Sequence, residues 1–100
     1  MKNQKIIAEI EKIIKELNLN CTLEEFQNKV DWDYISKYQK LSEDFIKEFQ
    51  DKVNWGCISI HQKLSEDFIR EFKDYVDWDY VSIHQKLSED FIKEFSEIKI

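Results

Sequence analysis

Proline is missing from this chain, and glycine occurs once, at position 56. Without them there are few places to set a rigid turn corner or to let φ turn positive at low cost, so tight hairpins are scarce. With Lys, Glu and Ile dominating instead, the expected class is all-α. Cysteine is also sparse: Cys21 and Cys57 form no C-x-x-C pair, and no further His or Cys is spaced to complete a zinc site. Reduced thiols and a cytoplasmic setting are the expectation. Long apolar runs are absent as well, since Lys5, Glu9, Glu11 and Lys12 break the first fifteen residues, and neither export nor membrane insertion is expected. Positive charge is in deficit, 15 basic against 21 acidic residues for a net of −6, and this mixed acidic surface repels phosphate backbones and disfavours direct nucleic-acid binding. One hundred residues are enough for one domain with one core.

What the chain has is repetition. The string Gln-Lys-Leu-Ser-Glu-Asp-Phe-Ile-Lys/Arg-Glu-Phe begins at Gln39, Gln62 and Gln85, a constant step of 23, and Trp32, Trp55 and Trp78 keep the same step. A fixed short period marks a repeat architecture. Each unit carries two helix starts. Asp31, Asn54 and Asp77 are N-caps for a first, A helix, with Val30 and Ile35 placed as a hydrophobic staple. Ser42, Ser65 and Ser88 are N-caps for a second, B helix, with Leu41 and Ile46 as its staple. The predicted A helices are 32–40, 55–63 and 78–86, and the predicted B helices 43–52, 66–75 and 89–97. Phe45, Ile46, Phe49 and Val53 form the apolar stripe of the first B helix, and Glu43 with Lys47 and Glu48 with Lys52 are expected to pair on its wet side.

Residues 22–30 read as a partial repeat that opens on a Thr22 to Glu25 capping box. Residues 1–21 read as a cap, because Ile6, Ile7, Ile10, Ile13, Ile14 and Leu17 follow helical spacing with Lys12, Lys15 and Glu16 opposite. Full repeats span 31–53, 54–76 and 77–99. Lys99 replaces the Val53 and Val76 of earlier copies, as expected where an array stops, with Ile98 and Ile100 leaving some apolar surface. The expected fold is a short α-solenoid of about eight helices, built from helix-turn-helix repeats behind an amphipathic N-terminal capping helix.

Comparing the copies divides each A helix into two sides. Trp32, Ile35, Ser36 and Gln39 recur almost unchanged on one face, where Trp fills volume, Ser permits close approach and Gln satisfies backbone groups in a tight corner. The other side varies: Asp33, Tyr34, Lys37 and Tyr38 become Gly56, Cys57, Ile60 and His61, then Asp79, Tyr80, Ile83 and His84. If equivalent helices stack, Tyr34, Lys37, Tyr38, Cys57, Ile60, His61, Tyr80, Ile83 and His84 form a ladder suited to binding a protein partner. Gly56 either opens a notch or avoids a clash.

No catalytic, metal or cofactor residues are expected. His61 and His84 are copies of one position, Cys57 and His61 have no third orienting group, and the carboxylates belong to caps and surface pairs. A helix-turn-helix reading fails on its acidic supposed recognition helix.

The pattern Val-Asp-Trp-x-x-Ile-Ser-x-x-Gln-Lys-Leu-Ser-Glu-Asp-Phe-Ile-Lys/Arg-Glu-Phe resembles repeats found in uncharacterised proteins of giant viruses, bacteriophages and AT-rich bacteria, over about residues 22–98. The resemblance carries over no activity and no site residues. It implies a viral or mobile-element origin and, by analogy alone, an inhibitor of a host defence protein acting in the host cytoplasm. The expected function is a non-enzymatic protein-binding module. One alternative is an acidic nucleic-acid mimic that sits in a basic groove. The other is a self-associating structural protein, a homodimer for instance.

Overall fold

The caps act where the sequence places them. In the computed structural model, which describes residues 4–95, the side chains of Asp31, Asn54 and Asp77 accept the backbone N–H of Tyr34, Cys57 and Tyr80, and Ser42, Ser65 and Ser88 accept that of Phe45, Phe68 and Phe91. Among the described residues eight helices follow from these starts and from the N-terminal segment: α1 (Gln4–Glu16), α2 (Phe26–Lys29), α3 (Trp32–Tyr38), α4 (Glu43–Glu48), α5 (Trp55–His61), α6 (Glu66–Glu71), α7 (Trp78–His84) and α8 (Glu89–Phe95). No strand occurs among the described residues, and the fold is all-α. The Thr22 to Glu25 box forms with both of its reciprocal bonds, 2.9 and 3.2 Å.

The helices are shorter than predicted. α3, α5 and α7 stop two residues early because Gln39, Gln62 and Gln85 adopt extended ψ angles near 145°. α4 and α6 stop at Phe49 and Phe72, where the backbone leaves the helical region. At the other end of the chain α1 closes on Asn18, whose positive φ of 54° lets Leu19 N–H reach Ile14 O and Asn18 N–H reach Lys15 O.

A single core runs through the array. Phe26, Phe45, Phe68 and Phe91 are almost fully buried, as are Ile6, Ile10 and Ile13 of α1 and the Ile35, Ile58, Val81 set. Burying each such side chain contributes about 1.5–3 kcal/mol before entropy is counted. The tryptophans are half-buried and lie over the B-helix phenylalanines of their own repeat, with ring centroids 5.1 Å apart for Trp32 and Phe49 and 5.4 Å for Trp55 and Phe72. Each indole N–H donates to a carbonyl five residues earlier, on Gln27, Gln50 or Lys73, and so closes the turn into its A helix.

Polar bonds tie successive repeats together at the same step of 23. Gln62 is buried and reaches back to the turn of the first repeat. Its Nε2 donates to Ser36 O (2.9 Å) and Gln39 O (2.7 Å), and its Oε1 accepts Leu41 N–H (2.9 Å). Gln85 repeats the three bonds on Ser59 O, Gln62 O and Leu64 N–H. Ser36 and Ser59, both fully buried, accept the N–H of Asn54 and Asp77 through their hydroxyls. The clamp foreseen for the glutamine is what forms, and serine adds an acceptor to close approach.

The expected Glu43 to Lys47 pair is replaced. Glu43 instead accepts both the N–H and the hydroxyl of Ser65, at 2.7 and 3.1 Å, and Glu66 does the same for Ser88. Lys47 turns to Glu71 (3.0 Å) and Arg70 to Glu94 (3.0 Å), so these charges link neighbouring repeats. The bond to Glu71 holds the Lys47 ammonium above the ordinary lysine range.

α1 packs on α4, and Glu9 makes onto Ser42 the two bonds that Glu43 makes onto Ser65, at 2.9 and 2.6 Å. The predicted roles of Ile98, Lys99 and Ile100 lie outside the described residues.

Gln39 gives an internal control for the clamp, because its side-chain amide has no hydrogen-bond partner among the described residues. Gln62→Ala strands one amide and two carbonyls and is expected to lower stability by about 2–4 kcal/mol, whereas Gln39→Ala should stay within about 0.5 kcal/mol. Urea midpoints of the two variants check this; equal losses would show that the clamp does not couple repeats.

Candidate functional site

The varied side of the A helices forms one continuous surface. α3 contacts α5 and α5 contacts α7, so positions that are equivalent in sequence become neighbours in a row. Asp33 of α3 accepts the side-chain N–H of Asn54 at the start of α5 (2.9 Å), and the Tyr80 ring of α7 lies over Gly56 of α5. These contacts cross both helix boundaries on the varied side.

Large apolar side chains are left in water there. Tyr34, Tyr38, Tyr80 and Ile83 are exposed, Tyr38 by 62% and Ile83 by 73%, while Ile35, Ile58 and Val81 on the opposite side of the same helices are fully buried. Tyr34 and Tyr38 lie against each other with centroids 4.8 Å apart, and the Lys37 ammonium stands 5.1 Å from the centre of the Tyr38 ring. On α7, Tyr80 meets His84 edge-on at 6.3 Å. Cys57 and Ile60 of α5 are half-buried, and His61 is exposed.

Eight of the nine candidate residues thus divide into two exposed clusters and a recessed strip, while His61, at the end of α5, is exposed. Tyr34, Lys37 and Tyr38 form the first cluster, Tyr80, Ile83 and His84 the second, and Cys57 and Ile60 lie between them. The centre is lower because Gly56 and Cys57 replace the Asp-Tyr pair of the outer copies, and the Tyr80 ring leans into the space.

Among the described residues no three His, Cys, Asp or Glu side chains gather closely enough to hold a metal ion. No helix among them is long and apolar enough to cross a membrane.

Two grooves were not foreseen. One, of about 500 Å³, lies between α1 and the end of α3 and is lined by Glu9, Lys12, Glu16, Tyr38 and Gln39 among others. The second, of about 430 Å³, lies at the end of the array and is lined by Trp78, Ser82, Gln85, Leu87, Ile92 and neighbouring phenylalanines. The signal for the second was present in the repeat itself. Ile92 is the counterpart of Ile46 and Ile69, but the following copy that would cover it is missing from the described residues.

No known protein family, curated protein or solved structure matches this chain.

Gly56 allows a test of how tightly this surface is built. A Cβ there would lie 3.3 Å from Asn54 Oδ1 and 3.8 Å from Tyr80 Cε2, and φ is not positive. Asp33 and Asp79 carry a Cβ at the same place beside working caps, so Asn54 has room to yield. Gly56→Ala is expected to raise stability by about 0.5–1 kcal/mol through helix propensity, read as a higher urea midpoint. A lower midpoint would mean that the glycine is needed for clearance.

Proposed function

We propose that this chain is a non-enzymatic protein-interaction module, a short α-solenoid with α1 as its N-terminal cap, which binds a protein partner through the outer face of α3, α5 and α7. The observation that carries this reading is the exposure of Tyr34, Tyr38, Tyr80 and Ile83 on one surface of a protein whose other large apolar groups are mostly buried. Aromatic side chains with a polar tip bind partners well, because they bring large contact area at low cost in conformational entropy. The two clusters with a recess between them suit a partner that places a ridge over Cys57 and Ile60.

Nucleic-acid mimicry is less well supported. It needs a free row of carboxylates at the B-helix starts, yet Glu43 and Glu66 are engaged by Ser65 and Ser88, and Asp67 pairs with Arg70 at 2.8 Å. In its narrowest form, resting on the repeat resemblance, the proposal is a virus- or phage-encoded inhibitor that masks a host defence protein in the host cytoplasm.

The test is capture from a host lysate with the intact chain beside a Tyr34→Ala, Tyr38→Ala, Ile83→Ala variant. These side chains are exposed, so the helical signal should stay unchanged while one specific partner is lost. Capture by the intact chain should also hold between low and moderate salt, as an aromatic interface does and a carboxylate mimic does not. An unchanged partner list in the triple variant would remove the A-helix face from consideration.

A further inference from the structure

The outer face of the A helices is sorted by charge. α3, α5 and α7 run side by side in the same direction: Asn54 at the start of α5 reaches Asp33 at the start of α3 (2.9 Å), while Gln62 and Gln85, just past the finishes of α5 and α7, reach Gln39 O and Gln62 O past the finishes before them (2.7 Å each). First turns therefore form one edge of the face and last turns the other. At the positions that vary, the acidic side chains, Asp33 and Asp79, both lie in first turns, and the basic ones, Lys37, His61 and His84, all lie in last turns. All five are exposed, and none is in an ion pair among the described residues. Lys40, Lys63 and Lys86, also exposed, continue the basic edge into the linkers.

Between these edges runs a trough. Its floor is the strip of Cys57 and Ile60, and its walls are Tyr34 and Tyr38 on α3 and Tyr80 and Ile83 on α7. Helices packed side by side stand about 8–10 Å apart, so α3 and α7 are separated by about 16–20 Å, room for one further helix about 10–12 Å across. An extended segment gains little here, because the outer side of a helix offers no backbone N–H or C=O to pair with it. A helix arrives with its backbone bonds already made.

We infer that the occupant of the trough is an α-helix of a protein partner, lying antiparallel to α5, with Asp or Glu in its first turn and Lys or Arg in its last. That distribution of charge is the one an α-helix itself favours. In the antiparallel orientation the partner's carboxylates meet Lys37, His61 and His84, and its cations meet Asp33 and Asp79. In the parallel orientation like charges meet at both ends. An apolar ridge at i, i+4 and i+7 lies on Cys57 and Ile60, with the tyrosines and Ile83 against its flanks. A nucleic-acid strand would be held at the basic edge but repelled at Asp33 and Asp79. The inference rests on the proposed use of the A-helix face and adds what the partner presents and how it points.

Selection from a displayed library of helical peptides about four turns long, randomised at the ridge and in both terminal turns, tests this with the intact chain as bait. Enriched peptides are expected to carry Asp or Glu in the first turn and Lys or Arg in the last. The strongest of them, synthesised, should lose at least about tenfold in affinity for a Lys37→Glu, His61→Glu, His84→Glu variant. An equal loss is expected for Cys57→Tyr, which gives the middle copy the tyrosine of its neighbours and fills the trough; Ile60→Tyr serves if Cys57→Tyr loses helical signal. Enriched peptides with no charge bias or the reverse one would overturn the proposal, as would full binding to the filled trough. If such peptides still required Tyr34, Tyr38 and Ile83, the face would stand as a binding surface without the helix in this orientation. A library that yields no enriched peptide would overturn the proposal as well, and the lysate capture would then decide separately on the face. A single-stranded oligonucleotide that binds the intact chain and displaces the peptide would assign the basic edge to nucleic acid, which also overturns it.

Discussion

Helices of six or seven residues are nearly all ends. An α-helix leaves four N–H groups at its start and four carbonyls at its finish without partners, so in α3 to α8 most backbone groups need help from outside their own helix. Helices this short are also not stable alone. Everything else in the structure depends on how that demand is met. Asp, Asn and Ser caps take the starts, tryptophan N–H groups take carbonyls in the turns before the A helices, and Gln62 and Gln85 take the finishes by reaching back one repeat. The clamps are what make a repeat require its neighbour. Hydrophobic burial supplies most of the stabilisation, but it does not by itself set the step or the direction of stacking.

This division of labour explains which surfaces are left for function. Three faces of the repeat are committed: the Trp, Ile and Ser side of the A helix, the Phe and Ile stripe of the B helix, and the Gln and Glu contacts between copies. The outer side of the A helix carries none of these duties, which lets Asp-Tyr become Gly-Cys in the middle copy without loss of the cap bond from Asn54 to Cys57 N–H. Freedom to vary and exposure of tyrosine and isoleucine therefore coincide on one surface.

Much of this was legible in the residues. Caps, staples and the capping box at Thr22 depend on neighbours within four positions, and local chemistry specifies them. The role of Gln62 could be foreseen in kind, as a buried amide in a tight corner. Helix ends were overrun, because the Gln-Lys-Leu-Ser segment continues a helical pattern while the clamp pulls residue 39 and its copies into an extended conformation. Glu43 was assigned to Lys47 because both lie on one helix, yet Ser65 of the next copy is a better partner: it offers a backbone N–H and a hydroxyl together. Glu9 left no trace at all, since its separation from Ser42 matches no repeat step and only the packing of α1 on α4 brings them together. The varied residues were identifiable by comparing copies, but their sorting into two raised clusters around a recess came from which side chains the neighbouring helix shelters.

The central claim is that the glutamines of the second and third repeats, Gln62 and Gln85, each satisfy the backbone of the repeat before it. Hydrogen exchange at three equivalent amides, Leu41, Leu64 and Leu87, measures this directly in the unmodified protein. Leu41 and Leu64 N–H are clamped by Gln62 and Gln85 and should exchange slowly, at rates set by opening of the array, while Leu87 should exchange much faster. Three amides exchanging at similar rates, whether slow or fast, would contradict the account.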